Sequence, residues 1–207
     1  MRIDELSLIS MIAHQGGSIL DLGCGTGDQL RKLRSLGVED LTGVDIFQYD
    51  NLEEFNFIKC DSMQYLMNNP EKFDQILSRQ SFYYYTADQQ EELFNSAYQS
   101  LKAGGYLYLI VFNGSIATSN FIAQKDLGIK FIYNEISLKS LGEAAGFSQS
   151  NVYESRIIPK NWIKRVILNL IRVYVKYFYT LRFLSERGFD SQNPRIFSKV
   201  LVAIYKK

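Results

Sequence analysis

The chain has 207 residues, of which 46% are hydrophobic and 22% are charged, and these proportions are typical of one globular domain with a sizeable core. Its two cysteines lack a CxxC spacing and it has one histidine, which argues against a disulfide framework or a zinc site and favours a reducing compartment. A formal net charge of +1 at pH 7 gives no broad field for a phosphate backbone, so we expect no nucleic-acid partner.

The first predicted element is a short amphipathic helix within residues 3–12, close to the mouth of a binding site. The stretch MRIDELSLIS is too charged and too weakly apolar for a signal peptide, and we expect the protein to be cytoplasmic. His14 follows the helix and is a candidate general base, because the free pKa of histidine lies nearest neutrality. The alternative, a polar residue in a connection, is favoured because nothing else nearby marks a site.

The stretch ILDLGCGTGDQL, residues 19–30, predicts a strand, a tight turn and a helix. Three glycines alternate in the turn, at Gly23, Gly25 and Gly27. Glycine allows a positive φ and lets a ligand approach without meeting a Cβ atom, and the start of the helix offers unpaired N–H groups. The turn is therefore predicted to bind a ligand.

The spacing of this turn argues against two common nucleotide motifs. The dinucleotide motif G-x-G-x-x-G needs a glycine where Asp28 stands, and a P-loop needs a lysine that Gly27-Asp28-Gln29 does not provide. Asp21, just before the glycines, would repel a pyrophosphate but could hold an ammonium group. We therefore expect a ligand that carries a cation, and a nicotinamide oxidoreductase is a disfavoured alternative.

Strands and helices alternate after the turn, which predicts parallel pairing with right-handed crossovers. The segments LTGVDI, FIKCDSM and FDQILSRQSF place Asp45, Asp61 and Ser78 at or near the carboxyl ends of three further strands. Ligands bind at such ends in parallel sheets. Asp45 and Asp61 could instead cap the helices that follow, but we favour ligand binding because both would share a sheet edge with the glycine turn.

The motif Asp21-Leu22-Gly23-Cys24-Gly25-Thr26-Gly27 resembles the first motif, D/E-x-G-x-G-x-G, of the class I S-adenosylmethionine-dependent methyltransferases, and the similarity continues in order over residues 15–113. It implies an α/β fold with a Rossmann-like seven-stranded, mostly parallel sheet in the order 3-2-1-4-5-7-6, strand 7 antiparallel, and helices on both faces. It also implies S-adenosyl-L-methionine as the cofactor, with no metal. The implied cofactor-binding residues are Asp21, Gly23, Cys24, Gly25 and Gly27 for the methionine part, Asp45 and Ile46 for the ribose, and Asp61, Ser62 and Ser78 nearby.

The stretch SRQSFYYY, Ser78 to Tyr85, follows the fourth strand and should line the place where the methyl group leaves. It lacks the Asp/Asn-Pro-Pro-aromatic sequence that the family's base N-methylases usually carry here, which argues against a nucleic-acid substrate. Arg79 could pair with an anionic substrate or the cofactor carboxylate, and tyrosines such as Tyr84 could wall an apolar pocket or pack beneath the next helix. His14, Arg79 and Tyr84 are thus weak catalytic candidates, and Asp126 and Glu135 are further candidate bases.

We expect a single domain, 1–207, in which residues 114–136 and 156–195 cover the substrate as insertions. Apolar residues from Ile163 to Leu184 follow a helical spacing for about six turns and predict one long amphipathic helix. Residues 156–187 carry eight Lys/Arg and one Glu, a net charge of +7, which leaves 15 Lys/Arg, 21 Asp/Glu and a net charge of −6 elsewhere. The near-zero total hides a polarised molecule.

A basic helix with a wide apolar face has three explanations here. It could pack on the body or on a second subunit, cover an apolar or anionic substrate, or lie on an anionic membrane surface through residues 160–184. It is not expected to span a membrane, because lysines and arginines interrupt the apolar run.

These observations predict a methyltransferase that acts on a small molecule, by O- or N-methylation of a metabolite, sugar or lipid-linked acceptor. The alternative is a noncatalytic adenosylmethionine-fold module that recruits a partner or a membrane through its basic helix.

Overall fold

The computed structural model describes residues 2–116, 119–155, 159, 161–190 and 193–207. The strands are β1 Arg2–Ile3, β2 Ile19–Leu22, β3 Leu41–Asp45, β4 Asn56–Lys59, β5 Phe73–Arg79, β6 Leu101–Phe112, β7 Gln149–Ser155 and β8 Val200–Lys206. The helices are α1 Glu5–Gln15, α2 Asp28–Ser35, α3 Ser62–Met67, α4 Ala87–Ser100, α5 Ser119–Lys125, α6 Glu135–Ala144 and α7 Trp162–Arg187, with a single turn of 3₁₀ helix at Phe82–Tyr84.

The strands form one mixed sheet in the order β1-β7-β8-β6-β5-β2-β3-β4. Strand β8 is antiparallel to both β6 and β7, and the other neighbours are parallel. The predicted order 3-2-1-4-5-7-6 with an antiparallel last strand is therefore confirmed. The chain reverses its direction of progress across the sheet between β2 and β5, which is where ligands bind in sheets of this kind.

Strand β1 is an addition that the sequence did not predict. It pairs in parallel with the end of β7, where Arg2 lies opposite Glu154 and its Nε is 3.4 Å from a Glu154 carboxylate oxygen. The predicted helix starts later than residue 3, because the Asp4 side chain accepts a hydrogen bond from the Ser7 N–H and caps α1 at Glu5.

Hydrophobic side chains are buried on both faces of the sheet. Leu8 and Ile12 of α1 pack with Leu30 and Leu33 of α2 on the face that carries Ile19. The opposite face is covered by α3, α4 and α6, which bury Tyr65, Phe94 and Leu138 there. The alternation along β2 sends Ile19 and Asp21 to the first face and Leu20 and Leu22 to the second.

The segment LKAGGYLYLIVF predicts a helix end, a Gly-Gly turn and a fifth strand from Tyr106 to Phe112. Strand β6 is longer, because it starts at Leu101, directly after α4, and its pairing with β5 shifts register between Phe73 and Gln75. The Gly-Gly pair is therefore an irregularity within the strand, where Gly104 has a φ of +76°. The stretch Thr86-Ala87-Asp88-Gln89 predicts a capping box, and the structure forms it at the start of α4.

The long basic helix is α7, which has 26 residues and so extends for roughly 39 Å. Two of the cations counted in the predicted basic segment, Arg156 and Lys160, lie outside the described residues. Among the helices that the structure describes, none combines the length and the hydropathy needed to cross a bilayer.

Candidate active site

A cavity of about 780 Å³ lies at the carboxyl ends of β2, β3 and β5, at the predicted ligand-binding edge. We call it the first cavity. Its wall is formed by Gly23, Gly25, Asp45, Ile46, Phe47, Tyr49, Asp61, Ser62, Arg79, Gln80, Ser81, Tyr83, Tyr84, Tyr85, Gln89, Gly128 and Lys130.

The glycine turn is tied to β3 by backbone hydrogen bonds. The N–H groups of Gly23 and Cys24 both donate to the Val44 carbonyl, at 2.8 and 3.1 Å. Gly25 has a φ of +52°, and a Cβ atom built there would meet nothing within 4 Å. The backbone of Gly25 is therefore open to the first cavity, which is what a close-fitting ligand requires.

Two predicted cofactor residues of the turn, Cys24 and Gly27, have structural roles. The Cys24 side chain is buried against Gly43 and Leu30, and burial together with the nearby charge of Asp21 raises the pKa of its thiol. Gly27 has a φ of +80° and caps α2, with Leu52 packed over it. Both shape the turn, and neither lines the first cavity.

Asp45 is held at the end of β3 by backbone donors. One carboxylate oxygen accepts from the Gly25 N–H and the other from the Phe47 N–H, both at 2.9 Å. Each oxygen keeps a lone pair for a further donor on the cavity side. Residues 46–55 contain no helix, so the alternative that Asp45 caps a following helix is wrong.

Asp61 caps the helix that follows it and also lines the first cavity. One carboxylate oxygen accepts from the Gln64 N–H at 3.0 Å and caps α3, so the capping alternative is correct for this oxygen. The other accepts from the Tyr85 hydroxyl at 2.7 Å. Asp61 and Ser62 nevertheless line the first cavity, and Ile46 and Phe47 supply an apolar wall with 54% and 61% of their surface exposed.

Asp21 lies behind the turn and is completely buried. Neither of its carboxylate oxygens has a hydrogen-bond partner among the described residues, which is rare for a buried group. Burial raises the pKa of this carboxyl to about 7; the positive charge of Arg79 opposes the shift and the negative charge of Asp45 adds to it. Asp21, one of the predicted cofactor residues, does not line the first cavity.

Ser78 reaches the cavity only through another serine. It is buried at the end of β5, where its Oγ is 2.5 Å from the Ser81 Oγ. Ser81 in turn donates to the Leu22 carbonyl at 2.8 Å and packs over Gly23. The predicted cofactor contact at Ser78 is therefore a support for Ser81, which does line the cavity.

The three catalytic candidates differ in their position relative to the first cavity and in their partners. Tyr84 lines the first cavity and donates its hydroxyl to Asp126 at 2.8 Å; burial and this carboxylate raise its pKa, so the phenol stays protonated at neutral pH. Arg79 lines the first cavity, and its Nη2 is 3.7 Å from a Glu5 carboxylate oxygen. His14 is exposed on the last turn of α1, roughly 14 Å along that helix from Glu5. The structure does not bring His14 to the cavity.

A second cavity, of about 490 Å³, adjoins the first and shares Arg79 and Gln80 with it. Gln80 has a φ of +61°, and its N–H donates to the Ile110 carbonyl at 2.9 Å. The remaining wall is Asp4, Glu5, Leu6, Ile110, Phe112, Ser155, Lys199, Val200 and Val202. The wall of the second cavity therefore combines side chains of both charges with an apolar surface.

Sequence reasoning missed several of these lining residues. Phe47 and Tyr49 follow the predicted strand end at Asp45, and their aromatic character was the available signal. Ser155 and Lys199 lie on or next to the last two strands, and they reach the site because β8 is inserted beside β6. Nothing in their local sequence marks them.

A family model described as a methyltransferase domain matches residues 2–151. No curated protein sequence matches significantly.

Solved structures share the fold at low identity. An S-adenosylmethionine-dependent methyltransferase from Archaeoglobus fulgidus is 19% identical with a TM-score of 0.67, over 98% of this chain and 95% of that chain. A putative methyltransferase from Bacillus halodurans C-125 is 15% identical with a TM-score of 0.64, over 98% of each chain. The 1,6-didemethyltoxoflavin-N1-methyltransferase from Burkholderia thailandensis, with bound 1,6-didemethyltoxoflavin and S-adenosylhomocysteine, is 16% identical with a TM-score of 0.60, over 98% of this chain and 77% of that chain.

Proposed function

The chain belongs to the family of methyltransferase domains, and we propose that it transfers a methyl group from S-adenosyl-L-methionine to oxygen or nitrogen of a small-molecule acceptor. The observation that carries the proposal is the first cavity, where the open backbone of Gly25 faces the carboxylates of Asp45 and Asp61. When bound, S-adenosyl-L-methionine supplies a methyl group already activated on a positively charged sulfur.

The residues of the first cavity fit this cofactor. Asp45 would accept hydrogen bonds from the ribose hydroxyls with the lone pairs that Gly25 and Phe47 leave free. Ile46 and Phe47 would pack on the adenine ring, and Asp61 and Ser62 would face its polar edge. The cofactor offers hydrogen-bond donors to the carboxylates of Asp45 and Asp61, and its adenine ring suits the apolar wall of Ile46 and Phe47.

Asp21 supports a cationic ligand over a pyrophosphate. Its buried carboxyl lacks a donor, and its raised pKa means that a nearby positive charge would favour the ionised form. A cofactor with an ammonium and a sulfonium group supplies such charge. A dinucleotide would place its negative phosphates at the same turn.

We infer that the acceptor occupies the second cavity. Catalysis there needs the acceptor aligned with the methyl group and water excluded, which is an effect of proximity and orientation. Tyr84 stays protonated at neutral pH. Burial alone would raise the pKa of Glu5, but hydrogen bonds from Lys32 and Gln29 outweigh burial and lower it. Neither group is tuned as a base, which favours a nitrogen or an already ionised oxygen as the acceptor atom.

Replacement of Gly25 by alanine tests the cofactor site. Gly25 and Gly37 both have positive φ, +52° and +90°, and a Cβ atom at either would meet nothing in the protein. Each substitution places a Cβ atom on a backbone with positive φ, but of the two residues only Gly25 lines the cavity. In isothermal titration with S-adenosylhomocysteine, Gly25→Ala is expected to weaken binding at least tenfold and Gly37→Ala less than twofold. Equal effects of the two substitutions would contradict the proposed site.

Replacement of Lys199 tests the acceptor site. Lys199 lines the second cavity and not the first. With an acceptor found by screening small amines and hydroxy compounds for S-adenosylhomocysteine release, Lys199→Gln is expected to raise the acceptor KM about tenfold, since a charged hydrogen bond contributes about 1.5–3 kcal/mol. Its affinity for S-adenosylhomocysteine should equal that of the wild type. An unchanged acceptor KM would exclude Lys199 from acceptor binding.

A further inference from the structure

Helix α7 exposes a continuous apolar surface to solvent. Eleven large apolar residues between Trp162 and Leu181 have 46–70% of their surface exposed, and no residue of the helix is buried, although α7 is described throughout. We call these eleven residues the outer face of α7. At 100° per residue they fill about half of the helix circumference without an interrupting charge.

Among the described residues, the opposite side of α7 contacts the body through aromatic side chains. The ring of Tyr179 stacks on Phe197 with 5.2 Å between centroids, and Phe183 lies 6.1 Å from the same ring. Leu168, Val175 and Tyr179 are half-buried on this side. The helix is therefore anchored by its inner side. Val173, at the edge of the outer face, lines a cavity with Val152 and Glu154 of β7, and the other ten outer-face residues line neither this cavity nor the first or second cavity.

Such a surface indicates an interaction partner. A monomer rarely exposes a contiguous apolar patch of this extent unless the patch is used for binding. The outer face includes Trp162, Tyr174 and Tyr177, aromatic residues whose rings suit a boundary between an apolar and an aqueous phase.

The charges of α7 indicate which kind of partner the outer face would suit. The helix carries six Lys/Arg and one Glu, a net charge of +5. On a helical wheel, Lys164 and Arg182 border the outer face on one side, and Arg165 and Lys176 border it on the other. An apolar band between two rows of cations is complementary to a surface with negative phosphates above hydrocarbon.

A second copy of this chain is a poorer match. Two such helices packed face to face would bring their bordering cations together, and like charges within a few ångströms repel. One acidic residue per helix, Glu186, is already paired with Arg182 at 2.9 Å. We propose that the outer face of α7 docks the protein on the surface of an anionic lipid bilayer.

Vesicle cosedimentation of the full chain tests this docking surface. The vesicles are phosphatidylcholine alone or phosphatidylcholine with phosphatidylserine as the anionic lipid. The wild type is expected to bind the anionic vesicles at least tenfold better than the neutral ones, and raised salt should release it. Two double variants should each lower binding at least tenfold. They are Leu170→Glu/Tyr174→Glu on the outer face and Lys164→Glu/Arg182→Glu at its border.

The matched control is Leu36→Glu/Met67→Glu, which adds the same charge as the outer-face variant at two apolar residues that are 52% and 50% exposed but lie outside α7 and outside both cavities. It should bind vesicles like the wild type, and every variant should keep its thermal stability and its affinity for S-adenosylhomocysteine. The docking proposal is overturned if the wild type stays in the supernatant with both vesicles or if Leu36→Glu/Met67→Glu loses as much binding as the outer-face variant. It is also overturned if sedimentation equilibrium gives a dimer that the outer-face substitutions dissociate, because the face then binds a second copy.

Discussion

Asp45→Ala is expected to weaken the binding of S-adenosylhomocysteine by about 100-fold. A hydrogen bond to a charged group contributes about 1.5–3 kcal/mol, and about 1.4 kcal/mol corresponds to a tenfold change in affinity. The substitution also removes the acceptor of the Gly25 and Phe47 N–H groups, so the glycine turn loses its tie to the end of β3. Isothermal titration gives the change in affinity directly.

The control for this substitution is Asp28→Ala. Asp28 lies on the first turn of α2, five residues before Leu33, and its side chain is 69% exposed. It shares the glycine-turn segment with the site but does not line the first cavity. Asp28→Ala should change the affinity less than twofold. If Asp45→Ala binds as well as Asp28→Ala, the carboxylate at the end of β3 does not hold the cofactor.

Asp21→Asn is expected to stabilise the ligand-free protein at pH 8. The unfolded carboxyl loses its proton near pH 4, whereas the folded one keeps it until about pH 7. The folded state therefore binds more protons between these values, and the free energy of unfolding falls as the pH rises through them. Three pKa units correspond to about 4 kcal/mol, an order-of-magnitude penalty that is complete above pH 7.

Asparagine keeps the shape of the side chain and removes this penalty, although its amide also lacks partners. We expect a gain of about 2 kcal/mol at pH 8, or roughly 5 °C in Tm for a chain of this size, and no gain at pH 4. Thermal unfolding at the two pH values measures it. A loss of stability at pH 8, or an equal change at both pH values, would contradict a strained carboxylate at Asp21.

The same substitution should weaken the binding of S-adenosyl-L-methionine about tenfold, because it removes the negative charge behind the glycine turn. Asp21→Asn is thus expected to raise the free energy of unfolding and to lower the affinity for a cationic ligand. This opposition is common at functional sites, where a group is kept for its chemistry at a cost to the fold.

The sheet could be predicted because its strands lie in short segments that can be recognised one after another along the sequence. The alternation of strands and helices after the glycine turn predicted parallel pairing, and the strand order came from the resemblance of this turn and of the segments around Asp45 and Asp61 to the methyltransferase family. The site edge followed from that topology, since carboxyl ends of parallel strands meet at one edge.

The features that the sequence could not predict depend on the direction of side chains and on contacts between residues that are far apart in the chain. The two residues of β1 are too few to show a period, and Lys199 reaches the site only through the antiparallel insertion of β8. Cys24 and Ser78 were expected to contact the cofactor because they belong to the right segments. Their side chains point into the core or to Ser81, which a motif does not specify.

The most direct test of the central proposal is a crystal structure of the wild-type chain grown with S-adenosylhomocysteine. Density for the ligand is expected in the first cavity, between the Gly25 backbone and the carboxylates of Asp45 and Asp61. Density for the ligand elsewhere, or a first cavity that remains empty at a saturating ligand concentration, would contradict it.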